Sequence, residues 1–135
     1  MPHEPFFQEG EIWWCAIGQN IGHEFNGKNI NFERPALILV KINMTMAWVL
    51  LLTSKHQNNE YRFTLEDSQI VLSQIMSVSS RRFLRKMSEI LPEETFREII
   101  DRIILILYKA KLRSRRHDGA ENLGDSISNM IPNLL

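Results

Sequence analysis

The chain has 135 residues, 44% hydrophobic and 24% charged, with a single cysteine. At roughly 150 residues per domain this is one hydrophobic core with a short appendage, and the composition excludes a wholly disordered chain, a collagen-like repeat and a disulfide-stapled scaffold. Sixteen Lys and Arg balance sixteen Asp and Glu, a zero net charge that at first argues against a nucleic-acid partner.

Residues 1–8 hold Pro2, Glu4 and Pro5 where a secretory leader needs a basic and then an apolar stretch, and Cys15 has no partner for an internal disulfide. A reducing cytoplasm is therefore the expected compartment. The longest apolar runs, residues 46–52 and 103–108, fall far short of the roughly 18–20 residues that cross a bilayer, so no membrane span is expected. Charge is unevenly placed: residues 1–76 carry five basic side chains (Lys28, Arg34, Lys41, Lys55, Arg62) against eight acidic ones, a net of −3. Residues 77–117 carry eleven against five, a net of +6, and residues 118–135 carry only Asp118, Glu121 and Asp125, a net of −3. The zero is a cancellation, and the middle block can face an anion.

The first 76 residues read mainly as strands. Segments 11–17, 35–42, 47–53, 61–65 and 69–78 are rich in Val, Ile, Leu, Trp or Phe and are separated by Gly, Asn, Ser or charged clusters, which predicts a small barrel. Leu37, Leu39, Val49 and Leu51 are flanked by further apolar residues, so these two strands are expected to be covered on both faces. Pro35 suits the head of its strand. Residues 19–33 have two Gly and four Asn without apolar periodicity; such a loop is either functional or a tolerated surface insertion.

The remainder reads as helical. Ser79 and Ser80 precede residues 81–89, where Phe83, Leu84 and Met87 predict a short serine-capped helix. Pro92, Glu93 and Glu94 then open a long helix, with Phe96, Ile99, Ile100, Ile103, Ile104, Leu107 and Tyr108 at helical spacing to about residue 112. Its later turns are apolar nearly all round, which implies a second subunit or a bound partner. The expected organisation is one domain over residues 1–112 and a basic, then polar, tail over residues 113–135.

Four scattered histidines (His3, His23, His56, His117) and one cysteine build no metal site. Gly18, Gly22 and Gly27 lack the ending of a nucleotide-binding loop. What remains is polar groups at strand ends: Gly22, His23 and Glu24 after the first strand, Glu33 and Arg34 opening the second, and Thr53, Ser54 and Lys55 closing the third. If strands two and three form a hairpin, Arg34 and Thr53 share one end. There a guanidinium fork and a hydroxyl would cradle a phosphate; alternatively Arg34 pairs with a carboxylate while Thr53 and Ser54 simply end a strand.

The ordered set Gly10, Glu11, Ile12, Trp13, Trp14; then Gly22, His23, Glu24; then Arg34, Pro35, Ala36, Leu37, Ile38, Leu39; then Leu52, Thr53, Ser54, Lys55; then Leu72, Ser73, Gln74, Ile75 resembles the MazF/PemK family of toxin endoribonucleases over about residues 10–108. The resemblance implies a mainly β fold with α, an SH3-like barrel of five to seven strands with a short helix and a long C-terminal helix. It implies a homodimer, a cognate antitoxin, and cofactor-free, metal-independent cleavage of single-stranded RNA, usually mRNA, to a cyclic phosphate. On that pattern Arg34 would stabilise phosphoryl charge or protonate the leaving oxygen, and Thr53 would bind the phosphate. Ser54, Lys55 and Gln74 would contact substrate. Glu24, with His23 beside it, would serve as base.

Some relatives carry Asp and Arg where this chain has Ser73 and Val71, and many carry Arg where it has Met76. Acid and base duties would then rest on Arg34, Glu24 or His23. The alternative is a non-enzymatic toxin or binding module on the same barrel, such as a gyrase poison or an inactive RNA binder; a structural subunit is a third reading. Trp13 and Trp48 are expected to be buried, and Trp14 or Phe25 could stack on a base. RNA affinity would rest on a few groups such as Arg34, Lys55, Arg81 or Arg82 and depend modestly on salt.

Overall fold

The computed structural model describes residues 5–18 and 32–114. The chain divides into two compact units, Met1–Glu93 and Glu94–Leu135. The first holds β1 (Glu11–Ala16), β2 (Glu33–Lys41), β3 (Met46–Thr53), β4 (Arg62–Thr64), β5 (Gln69–Ser79) and β6 (Phe83–Ile90), with a single 3-10 turn, Ser80–Arg82, before β6. They form one antiparallel sheet in the order β4-β5-β3-β2-β1-β6. The mainly β fold and its five expected strands are present, with ends within two residues of those read from sequence.

Sheet order forces curvature. β5 and β6 are four strand positions apart, roughly 19 Å in a flat sheet. Only the three-residue turn Ser80–Arg82 joins them, and the four Cα steps from Ser79 to Phe83 reach at most about 14 Å. The sheet must roll, bringing its β5 and β6 portions together over one core. That core gathers Phe7, Trp13, Cys15, Ile38, Val49, Val78 and Phe83. The N-terminal segment is tied in by Lys41, whose Nζ donates to the Phe7 carbonyl at 2.9 Å and whose backbone N–H donates to Glu9 Oε2 at 2.8 Å.

β2 and β3 are buried on both faces. Ala36, Ile38, Val49 and Leu51 point into the core, while Leu37, Leu39, Leu50 and Leu52 on the opposite face are also buried. This explains their unbroken apolar runs. Trp48 departs from expectation: Trp13 is buried, but Trp48 is 44% exposed. It lies on the face away from the core, opposite Ser77, where a small hydroxyl neighbour cannot cover an indole.

The short helix expected over residues 81–89 is corrected to one 3-10 turn followed by β6. Ser79 Oγ does accept from the Arg81 N–H, so the cap exists, but it opens only a turn. Phe83 is buried and Leu84 is exposed, so the two neighbours lie on opposite sides of the strand. β6 supplies a ladder to the outer side of β1, with bulges at Glu11/Trp13 and Trp14/Cys15, and the Phe83 ring packs on Phe7 at 5.0 Å and Trp13 at 5.7 Å. These gains outweigh the helical preference of a Leu-, Arg-, Lys- and Met-rich segment, a matter of tenths of a kcal/mol per residue.

α1 (Glu93–Ser114) follows Pro92. Glu93 and Glu94 stand near its positive end and Lys111 and Arg113 in its last turn, both favourable to the helix dipole. Ile99 is fully buried and Leu107 is 63% exposed. Among the described residues no helix is long and apolar enough to cross a membrane.

Because Phe83 anchors the rolled sheet, Phe83→Ala is expected to lower unfolding free energy by roughly 3–5 kcal/mol in urea titrations. A loss below about 1 kcal/mol would show that closure does not depend on this ring.

Candidate functional site

The register of β1, β2, β3, β5 and β4 lines up one polar row. Cys15 pairs with Arg34, Thr53 with Gln69, and Gln69 with Thr64. Continuing the Ala36↔Leu51 pairing two residues toward the strand ends sets Arg34 opposite Thr53. Side chains two apart share a face, so both project on the core side of the sheet, beyond Ala36 and Leu51. Arg34 is 4% exposed and Thr53 3%.

Arg34 Nη2 donates to the Leu52 carbonyl at 2.9 Å. Desolvation by burial lowers its pKa, but a guanidinium stays charged at neutral pH. Thr53 Oγ1 accepts from the Lys55 N–H at 3.1 Å, which leaves the hydroxyl's own hydrogen to donate. The site is thus a buried cation beside an oriented hydroxyl, the donor set that suits a tetrahedral oxyanion.

A cavity lies toward the Gln69 end of this row, where its lining residue Arg62 donates to Gln69 Oε1 at 3.2 Å. Leu50 pairs with Ile75 and Leu52 with Ile70, so two steps along β3 match five along β5, leaving three extra residues bulged from the ladder. Bulges of this kind re-aim side chains. The bulge and the segment before β4 enclose about 240 Å³ lined by Gln57, Asn59, Tyr61, Arg62, Val71, Ser73 and Gln74. Neutral amides, a phenol and a guanidinium dominate the wall, and no carboxylate or imidazole stands among these lining residues.

Of the residues singled out from sequence, the strand register sets Arg34 opposite Thr53, while Gln74 stands in the cavity wall, which neither of them lines. Ser54 and Lys55 follow Thr53 directly and are exposed. His23 and Glu24 lie outside the described residues, as does Phe25. Trp14 stands opposite Pro35, on the other face from Arg34, with the Arg85 guanidinium 5.0 Å from its ring. Glu33 also faces away from Arg34 and pairs with Arg85 at 3.0 Å. Sequence reasoning missed Arg62 and Gln69, buried polar residues that open β4 and β5. Their signal was a polar side chain at the head of a strand, which by itself does not separate a buried group from a strand-end group. Among the described residues no three His, Cys, Asp or Glu side chains cluster as a metal site requires.

A family model described as PemK-like, MazF-like toxin of type II toxin-antitoxin system matches residues 8–107. The chain belongs to this family. In structure the PemK/MazF-family chain is similar to MazF (Form-I) from Deinococcus radiodurans, with a TM-score of 0.58 and 16% identity over 78% of this chain and 98% of that one; at that identity the likeness concerns the fold. No curated protein sequence matches. The family match includes every residue of the Arg34, Thr53 and Gln69 row.

Within this family member, Cys15 carries the row into the core. It is fully buried, and desolvation pushes its thiol from 9.0 up to about 12. Above pH 9 the unfolded chain loses this proton while the folded chain keeps it, so stability falls as pH rises from 9 toward 12, by about 1.4 kcal/mol per unit. Urea unfolding at pH 8 and pH 10 should show an extra loss of about 1.4 kcal/mol in the wild type compared with Cys15→Ala. Parallel profiles for the two proteins would contradict a buried neutral thiol.

Proposed function

We propose that the protein is the toxin of a type II toxin-antitoxin pair that cleaves single-stranded RNA, mRNA in the cell, without a metal ion. The observation that carries this reading is the facing pair of Arg34 and Thr53, buried together at one strand end. The resemblance to toxin endoribonucleases and the family match support it.

In the proposed reaction the ribose 2′-hydroxyl attacks the adjacent phosphorus. The bond to the 5′-oxygen breaks, giving a 2′,3′-cyclic phosphate and a 5′-hydroxyl. One proton leaves the 2′-oxygen and one arrives at the 5′-oxygen. Arg34 supplies charge to the phosphoryl oxygens in a site of low dielectric, where each donor acts more strongly than in water. Thr53 holds a further oxygen through the hydrogen left by its bond from Lys55, with Ser54 and Lys55 alongside. Gln74 and the cavity take a base next to the phosphate. Glu24, with His23 beside it, takes the proton from the 2′-oxygen, and Arg34 donates a hydrogen bond to the leaving 5′-oxygen, which takes its proton from water. Working as a homodimer in the cytoplasm, the toxin is held in check by a cognate antitoxin.

A second reading, a non-enzymatic toxin or RNA-binding module, is favoured by one feature: the described cavity wall, Val71 and Ser73 included, offers no carboxylate. Purified protein with a fluorescent single-stranded RNA in EDTA separates the two. Cleavage with a cyclic-phosphate end is expected, and Arg34→Ala should reduce its rate by at least about 100-fold with an unchanged circular dichroism spectrum. Intact RNA despite growth arrest would favour the second reading, and full cleavage by Arg34→Ala would remove Arg34 from the site.

A further inference from the structure

Backbone groups that leave a strand end have no ladder to join and on a surface loop they bind water. Residues 54–57, which follow Thr53, are held differently. Gln69 lies opposite Thr53 and is 4% exposed. Its amide pairs with both backbone groups of one residue as a neighbouring strand would: the Gln57 N–H donates to Oε1 at 2.8 Å, and Nε2 donates back to the Gln57 carbonyl at 3.0 Å. Oε1 also accepts from Arg62 Nη1 at 3.2 Å, and Nε2 also donates to Thr64 Oγ1 at 3.0 Å. Every hydrogen-bonding position of the amide is therefore used. Arg62, 7% exposed, turns the same Nη1 to the Lys55 carbonyl at 2.8 Å. The Lys55 N–H in turn binds Thr53 Oγ1.

An apolar residue at position 69 would meet the packing needs of this face without four partners, and a buried amide costs free energy unless it is satisfied. Here two of its four bonds go to Gln57, and Arg62, which its Oε1 holds, binds Lys55. The consequence reaches Thr53: the Lys55 N–H occupies a lone pair of the hydroxyl, which restricts where the remaining hydrogen can point. We propose that Gln69 and Arg62 are positioning residues that fix residues 54–57 and thereby aim the Thr53 hydroxyl at the phosphate. The proposal rests on the reading of Arg34 and Thr53 as the phosphate-binding pair. A group held in advance of the reaction contributes more in the transition state than in substrate binding, so its loss falls on kcat.

The test compares wild type, Gln69→Leu and Thr64→Val in RNA cleavage, in thermal unfolding and in NMR hydrogen exchange of the Lys55 amide. Gln69→Leu is expected to lower kcat about tenfold or more while KM changes less than about threefold, with faster exchange at Lys55. Thr64→Val removes one of the four bonds from an exposed position and should lower kcat by about two- to fivefold. If Gln69→Leu does not fold, Thr64→Val decides the matter by the same readouts. Unchanged kcat in a folded variant, a loss confined to KM, or reduced kcat with unaltered Lys55 exchange would each overturn the proposal. If the wild type cleaves no RNA, the functional reading fails separately, and Lys55 exchange in Gln69→Leu alone decides whether Gln69 holds the segment.

Discussion

The pairing of β2 with β3 is the constraint on which the other features depend. Both strands are buried on both faces, so a slip of one residue would exchange the core set of Ala36, Ile38, Val49 and Leu51 with the opposite set of Leu37, Leu39, Leu50 and Leu52. Such a slip would also turn Arg34 away from Thr53. Apolar packing over the length of two strands thus fixes the relative position of two polar side chains at their end. Beyond the pairing Ile38↔Val49 the ladder shifts register before Val40↔Trp48, so any adjustment lies at the far end from Arg34.

A charge inside a sheet needs a reason to be stable there. Burial opposes the Arg34 cation, and the Leu52 carbonyl returns part of that cost with a charge-assisted bond. Water is largely excluded from Arg34 and Thr53 together. An anion arriving there would meet donors that the fold has already desolvated, which is the preorganisation that catalysis on a phosphate needs. The bulge in β5 contributes the space. Without its three extra residues the ladder would continue past Leu50 and leave no cavity beside the row. Strand pairing supplies the donors, and the interruption of pairing supplies room for what they would hold.

Much of this was legible in the sequence because β2, β3 and β5 announce themselves through long apolar runs with a proline or polar group at the boundary. Arg34 and Thr53 follow from those boundaries, since a hairpin forces the start of one strand beside the end of the next. β6 was illegible for the opposite reason. Its residues favour a helix locally, and only β1's open side, with the aromatic pocket of Phe7 and Trp13 around Phe83, makes it a strand. That information is carried by partners some 70 residues distant in the chain. Gln69 and Arg62 escaped notice similarly: nothing in their immediate neighbours reveals that the backbone N–H and carbonyl of Gln57 and the carbonyl of Lys55 will arrive to satisfy them. Trp48 shows the limit of composition, because an apolar strand can bury most of its length and still leave one indole half in solvent.

The electrostatics sharpen the case for a few placed groups over a diffuse basic surface. Three basic side chains at the start of β6 and in the turn before it are engaged: Arg82 of the turn donates to the Ala16 carbonyl at 2.9 Å, Arg85 pairs with Glu33 at 3.0 Å, and Lys86 meets Glu11 at 3.4 Å. The last two pairs are partly exposed, worth about 0–1 kcal/mol each in stability, yet each carboxylate offsets the field its partner would cast toward an approaching polyanion. Residues 1–90, which include the whole sheet, carry nine basic and nine acidic side chains, so long-range attraction cannot come from the sheet as a whole. Affinity for a phosphate chain at this sheet would have to arise at short range, where Arg34 acts undiluted by solvent and a hydroxyl fixed by a backbone N–H meets the same group. Such a site would discriminate by geometry more than by charge, and counterion release, which scales with the number of phosphates neutralised, would contribute little to its binding.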